Sequence, residues 1–220
     1  MAKILITIAR QLGSGGSFIG KALAKKLGYR YFDREILTRT TELLGAEEST
    51  LSEREEKLSG FLKNVIRPFI LGSPETAYAP PPIRLIYDRD LFEVESKVIR
   101  SIGEKYDSVI VGRAANLVLG GEPGIVNTFI HSPREFRVKR LMEIYGIADA
   151  AEAGELVDKS DHDRAKFFEA MTGADWTDLR RYHLAIDSER VGFKAAEEMI
   201  SLLVREVKER LGIRNKGNLA

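Results

Sequence analysis

Ile4–Leu27 reads ILITIARQLGSGGSFIGKALAKKL, and the fold follows from how this stretch is parsed. Ile4, Leu5, Ile6 and Ile8 form an apolar run of strand length, as in a strand buried on both faces. Arg10 to Ser17 is a glycine-rich turn. Beyond it Phe18, Ile19, Ala22, Leu23 and Leu27 repeat at helical spacing. Strand, glycine turn and helix in this order aim successive backbone N–H groups and a helix N-terminus at one point. Unsatisfied amides and the helix dipole both favour an anion there. Gly13, Ser14, Gly15, Gly16 and Ser17 are therefore candidate phosphate-binding positions. Ser17 is also a candidate ligand for magnesium, or a helix cap.

The turn departs from the phosphate-loop pattern G-x-x-x-x-G-K-[ST]. Arg10 stands at the first glycine, Gly15 at the second, Gly16 at the lysine and Ser17 at the hydroxyl position. A purely structural turn and a dinucleotide fingerprint are the other readings. The fingerprint is weakened by Phe18, which stands where G-x-G-x-x-G requires a glycine. Asp33, at the end of a short second strand Tyr29–Phe32, suits that fingerprint and equally suits a cap for a helix from Glu35 to Leu44.

Working outward, Gly60 to Asp90 carries Pro68, Pro74 and Pro80–Pro82 among several aromatics. The prolines exclude a regular helix through it. The aromatics argue for an ordered insertion, a lid edge or a contact between copies in a homodimer. Leu91–Ile102 has helical spacing, and Ser108–Val111 is a buried strand ending in Gly112-Arg113. That places a cation at the carboxyl end of a central strand, where open α/β sheets bind ligands. Ile125–Ile130 is another strand. Ser132-Pro133-Arg134-Glu135 reads as a helix start with a serine N-cap and a capping-box glutamate. Arg137 and Arg140 then share one helix face. Ala148–Ala170 is a polar helical stretch holding Lys159, Asp161, Asp163, Arg164 and Lys166. Leu184–Ile186 is a last strand, Val191–Leu211 a closing helix, and Gly212–Ala220 a fraying tail.

Alternating strands and helices predict a parallel sheet wrapped by helices, in one domain over 1–220 with its insertion near 60–90. The chain has 220 residues, a net charge of +1 and no cysteine. That balance calls for no nucleic-acid polymer, and the lack of cysteine excludes disulfides and thiolate metal sites. No apolar run approaches the ~20 residues of a membrane span, and the start shows no signal peptide, so a cytoplasmic location is expected. His131, His162 and His183 form no metal-ligand spacing. Arg10, Arg39, Arg113, Arg137, Arg140 and Arg164 gather at strand ends, helix starts and the polar helix. Their planar forks suit a site for two or more phosphate groups.

The chain resembles the cytidylate kinase-like family of phosphate-loop nucleoside monophosphate kinases. The resemblance runs through ITIARQLGSGGSFIGKALAKKLGYRYFDREIL, FEVESKVIRSI, SVIVGRAANLVL, FIHSPREFRVKRLMEIYG, DKSDHDRAKFF and TGADW. It implies ATP as donor, Mg2+ as cofactor and a nucleoside monophosphate as acceptor, CMP or dCMP first. Asp33 matches the aspartate ending the family's second strand, and Arg39 and Arg113 match acceptor-phosphate arginines. Asp163-Arg164 matches the lid's Asp-Arg, with Lys159 and Lys166 in place of flanking lid arginines, in a helical lid over about 148–170. Arg164, with Arg137, Arg140 or Lys159, would close over the migrating phosphoryl group, and Asp33 is the best remaining candidate among carboxylates to hold magnesium or orient the acceptor in catalysis. Three departures stand out. Gly16 replaces the loop lysine, Ala114 the acid of Gly-Arg-Asp, and Ala9 an aspartate at the end of the first strand. Arg10 is the candidate to supply the missing charge. A non-catalytic nucleotide-binding protein and a small-metabolite kinase on the same fold are the alternatives.

Overall fold

The computed structural model of the protein describes residues 2–33 and 89–213. Arg39, the helix expected at Glu35–Leu44 and nearly all of the proline-rich insertion lie outside these residues. The elements run β1 (Leu5–Arg10), α1 (Gly16–Leu27) and β2 (Arg30–Phe32), then α2 (Arg89–Lys105), β3 (Ser108–Val111), α3 (Ala115–Val118) and β4 (Ile125–His131). They continue with α4 (Arg134–Tyr145), α5 (Ala150–Thr172), a 3-10 turn at Leu179–Arg181, β5 (Leu184–Asp187), α6 (Ser188–Val191) and α7 (Phe193–Arg210).

The strands form one parallel sheet in the order β2-β3-β1-β4-β5. β1 is central because both of its faces are apolar. Ile4, Ile6 and Ile8 pack with α1 and with Ala196, Ile200, Val204 and Val207 of α7. Leu5 turns to the other side, against Val98, Ile99 and Ile102 of α2. The exception to this apolar interior is Thr7, whose hydroxyl donates to Asn127 Oδ1 at 2.7 Å, so the buried polar pair is satisfied. With β3 on one side of β1 and β4 on the other, the sheet has its switch point where β1 ends. A crevice opens there at the carboxyl ends of the strands.

Several sequence expectations shift. Ser132 does not cap α4. Pro133 is the N-cap residue, and no side chain bonds the helix N-terminus. Ser132 is buried, and its hydroxyl lies 2.7 Å from the His131 carbonyl and 2.6 Å from Ser188 Oγ. The interior claims it before the helix can. α1 begins at Gly16 with Gly15 as its N-cap, so Ser17 sits inside the first turn rather than capping it. The closing helix begins at Phe193, after a separate turn of helix capped by the Asp187 carboxylate. α5 is capped by Asp149, which accepts from the Ala151 N–H at 2.8 Å. Among the described residues, no helix is long and apolar enough to cross a membrane.

Candidate functional site

The loop from Gln11 to Gly15 leaves β1 and enters α1. Gly13 and Gly15 take φ of 83° and 79°, the left-handed region that suits glycine. Space is short as well. A Cβ on Gly13 would lie 2.8 Å from the Arg137 carbonyl, and one on Gly15 would lie 2.6 Å from the Phe193 ring. Ser14 is fully buried and supports the loop from inside. Its hydroxyl donates to the carbonyls of Gln11 (2.9 Å) and Ile130 (3.1 Å), and its own carbonyl accepts from Ser188 Oγ at 2.6 Å. α1 has no side-chain cap and no acid in its first turn. Its leading N–H groups therefore lack intrahelical partners and face the loop with the positive end of the dipole. This is a fit for phosphate oxygens.

The loop's geometry sets an expectation for its stability. Gly15→Ala should cost about 1–2 kcal/mol for the left-handed backbone alone, with a further loss from the Phe193 overlap. Urea unfolding of the single variant and of Gly15→Ala/Phe193→Leu separates the two. The double variant should recover only the steric part, and equal stability of all three proteins would contradict the geometry.

Beside the loop is a cavity of about 60 Å³ lined by Arg10, Arg113 and Arg164 together with Asn116, Phe167, Phe168 and Trp176. The three arginines come from the end of β1, the β3–α3 turn and the middle of α5. Trp176 is buried, packed edge-on to Phe129 at 5.5 Å, and its carbonyl accepts from the Tyr182 hydroxyl at 2.6 Å. Burial pushes the Tyr182 phenol well above its ordinary range. Arg113 pairs with Glu95, which is fully buried on α2, and lies 4.7 Å over the Phe167 ring. The turn that aims it is strained. Gly112, Arg113 and Ala114 have successive φ of 86°, 55° and 52°. Non-glycine residues adopt this region at a cost of about 1–3 kcal/mol each, and such strain gathers at functional sites.

Asp161 ties α5 to the loop. Its carboxylate accepts from Arg137 Nη1 at 2.7 Å and from Gln11 Nε2 at 3.4 Å, and it lies 3.7 Å from Arg164 Nη1. Arg137 is buried. It also donates to the carbonyls of Ser132 (3.0 Å) and Leu12 (3.3 Å), so this guanidinium joins α4, α5 and the loop rather than facing the cavity. Arg140 lies 4.4 Å over the Phe193 ring, the ring that lies against Gly15, and does not line the cavity. Arg134 makes a two-pronged pair with Asp158, at 2.9 and 2.8 Å, and holds that carboxyl below the usual carboxylate range.

Of the remaining expected site residues, Asp33 is buried at the carboxyl end of β2, and Ser17 is partly buried in the first turn of α1. Lys159 and Lys166 are exposed on α5, and Asp163 is partly buried there. None of these five lines the cavity. Among the described residues, no group of three His, Cys, Asp or Glu side chains could hold a metal ion by itself. Magnesium therefore fits here only as magnesium usually does, through a hydroxyl such as that of Ser17, through phosphate oxygens and through water.

Glu95, Gln11 and Phe193 were not among the expected site residues. Glu95 had left a signal. It falls three, four and seven residues before Val98, Ile99 and Ile102, squarely on the apolar stripe of α2. An acid in that position needs a buried partner. Gln11 and Phe193 left none, because their roles depend on elements distant in sequence.

The sequence model of the cytidylate kinase-like family matches residues 5–190. No curated protein matches the chain. Among solved structures, an uncharacterized protein from Eubacterium ventriosum is 24% identical with a TM-score of 0.68, covering 92% of this chain and 99% of that one. The shikimate kinase from Acinetobacter baumannii is 12% identical with a TM-score of 0.46, covering 94% of this chain and 95% of its own. A gluconokinase from Sinorhizobium meliloti is 15% identical with a TM-score of 0.46, covering 94% and 97%. With the family match spanning most of its length and a glycine loop at the switch point of a parallel sheet, the chain belongs to the cytidylate kinase-like family and has a phosphate-loop kinase fold.

Proposed function

We propose that the protein transfers the γ-phosphoryl group of ATP to a nucleoside monophosphate, CMP or dCMP first. The observation that carries this reading is the convergence of Arg10, Arg113 and Arg164 from three elements on one cavity beside the glycine loop. Phosphoryl transfer asks the protein for positioning and for positive charge around the moving group, and for little covalent chemistry.

The amides of Gly13, Gly15, Gly16 and Ser17 hold the donor phosphates. An oxygen of the acceptor phosphate attacks the γ-phosphorus, the bond to the β–γ bridging oxygen breaks, and ADP leaves with that electron pair. Arg113, with Arg39, binds the acceptor phosphate. Arg164 meets the migrating group, while Arg137 positions α5 through Asp161 so that Arg164 stays aimed at the cavity. Asp33 orients the acceptor. Magnesium, when bound, would draw off charge from the donor phosphates, and Ser17 is the side chain that would help to hold it.

A specific observation favours a second reading. The charge of Arg113 is already balanced by Glu95, which suits an acceptor less charged than a phosphate monoester, as in a small-metabolite kinase. A coupled ADP-release assay with magnesium ATP, across nucleoside monophosphates and small hydroxy acids and sugars, separates the two. Turnover with CMP or dCMP well above all other acceptors is the expected result. Preference for a hydroxy metabolite supports the second reading. ATP binding with no transfer to any acceptor supports a non-catalytic nucleotide-binding protein.

A further inference from the structure

We infer that the cation missing from the loop has been relocated to Arg10, and that Arg10 and a lysine at position 16 exclude each other. The inference rests on the reading of the loop as the donor-phosphate site. Gly16 is the first residue of α1 and is not among the positive-φ glycines, so its backbone would accept any side chain. What it lacks is space. A Cβ there would lie 2.6 Å from Cβ and 2.9 Å from Cγ of Arg10. These are the root of the arginine side chain and cannot swing aside as its far end could.

The other end of Arg10 lies over a second glycine, whose φ of 86° already favours that residue. A Cβ on Gly112 would lie 2.3 Å from Arg10 Nη1 and 3.3 Å from its Cζ. The side chain thus runs from the foot of α1 across the crevice to the end of β3, over two α-carbons that carry nothing. β1 and β3 are hydrogen-bonded neighbours, so this corridor belongs to the sheet itself. Arg10 lines the cavity with Arg113 and Arg164. Among the described residues no carboxylate pairs with Arg10, whereas Arg113 and Arg164 each have an acid beside them. A guanidinium with no acidic partner, beside an uncapped helix N-terminus, is equipped to fork across two phosphate oxygens of a nucleoside triphosphate. In the usual loop a lysine on the helix reaches back to those phosphates. Here an arginine on the strand reaches forward, and glycine at position 16 is the consequence.

The test is a charge swap, read by calorimetric titration with magnesium and a non-hydrolysable ATP analogue and by thermal unfolding. Arg10→Gln keeps the stem and removes the charge. It should weaken binding about ten- to a hundredfold with little change in melting temperature. Gly16→Lys alone should lower the melting temperature and weaken binding. Arg10→Gly/Gly16→Lys should regain most of both losses, since removing the Arg10 Cβ gives the lysine room and the lysine supplies the charge. Full affinity in Arg10→Gln, or a Gly16→Lys protein that is as stable as wild type and binds at least as tightly, overturns the inference and leaves the kinase reading standing. Wild-type protein that binds no nucleoside triphosphate overturns both.

Discussion

Arg164→Ala should lower turnover by about 10³-fold or more, while affinity for the acceptor monophosphate changes little. Arg164 stands on α5, lines the cavity and is held 3.7 Å from Asp161 one helical turn away. Asp161 is itself engaged by Arg137 and Gln11, so Arg164 is aimed by a network anchored to the loop and to α4. A cation placed where charge builds up during transfer contributes more to the transition state than to either bound substrate. The effect therefore falls on kcat, and calorimetry with the acceptor should register almost none of it. If binding and turnover fall together, Arg164 is a ground-state clamp and the proposed roles are wrong. Asp161→Asn provides the companion measurement. It removes the negative charge beside Arg164 and the charged partner of Arg137, so kcat should fall without a matching change in acceptor affinity.

Glu95→Ala should have the largest effect on stability, a loss of about 3–5 kcal/mol. Glu95 is fully buried and pairs with Arg113, whose side chain is itself only 9% exposed. Deleting the acid leaves a guanidinium in a poorly solvated place between Phe167 and the core. That penalty, rather than the intrinsic strength of the pair, is what unfolding would report. Replacing both charges with apolar groups of similar volume, as in Glu95→Leu/Arg113→Met, should recover most of the loss because no charge is then stranded. Urea unfolding of the wild type, the single and the double variant makes the comparison. A single variant within about 1 kcal/mol of wild type would show that water or another group compensates Arg113. The double variant should remain folded but transfer phosphate poorly if Arg113 binds the acceptor.

The local elements were legible because their causes are local. The apolar run of β1, the glycine turn and the helical spacing of α1 all lie within Ile4–Leu27, and the structure forms them with the helix starting two residues earlier than its first apolar position. The end of β3 at Gly112-Arg113 and the long polar helix α5 were equally readable, as was a parallel sheet from the alternation of elements. Ser132 shows where local reading failed. Its capping-box signature is sound chemistry for an isolated helix, but a buried hydroxyl goes to whichever acceptor the tertiary structure brings near, and Ser188 is 56 positions away.

By itself, then, the sequence determined a phosphate-loop-like strand, turn and helix, a parallel α/β sheet, and arginines at the ends of its elements. Only the tertiary structure decided what those arginines do. The order β2-β3-β1-β4-β5 sets β3 beside β1 although β2 and α2 lie between them in the chain, and that adjacency lays Arg10 across Gly112. It also decided that Arg113 would meet Glu95, 18 positions back, and that Gln11 would meet Asp161, 150 positions on. Helical and strand periodicity are written in neighbouring residues, since backbone geometry repeats over a few positions. Which charge neutralises which is set by strand order and helix packing, and a single sequence records these only where a misfit such as Glu95 on an apolar stripe betrays them.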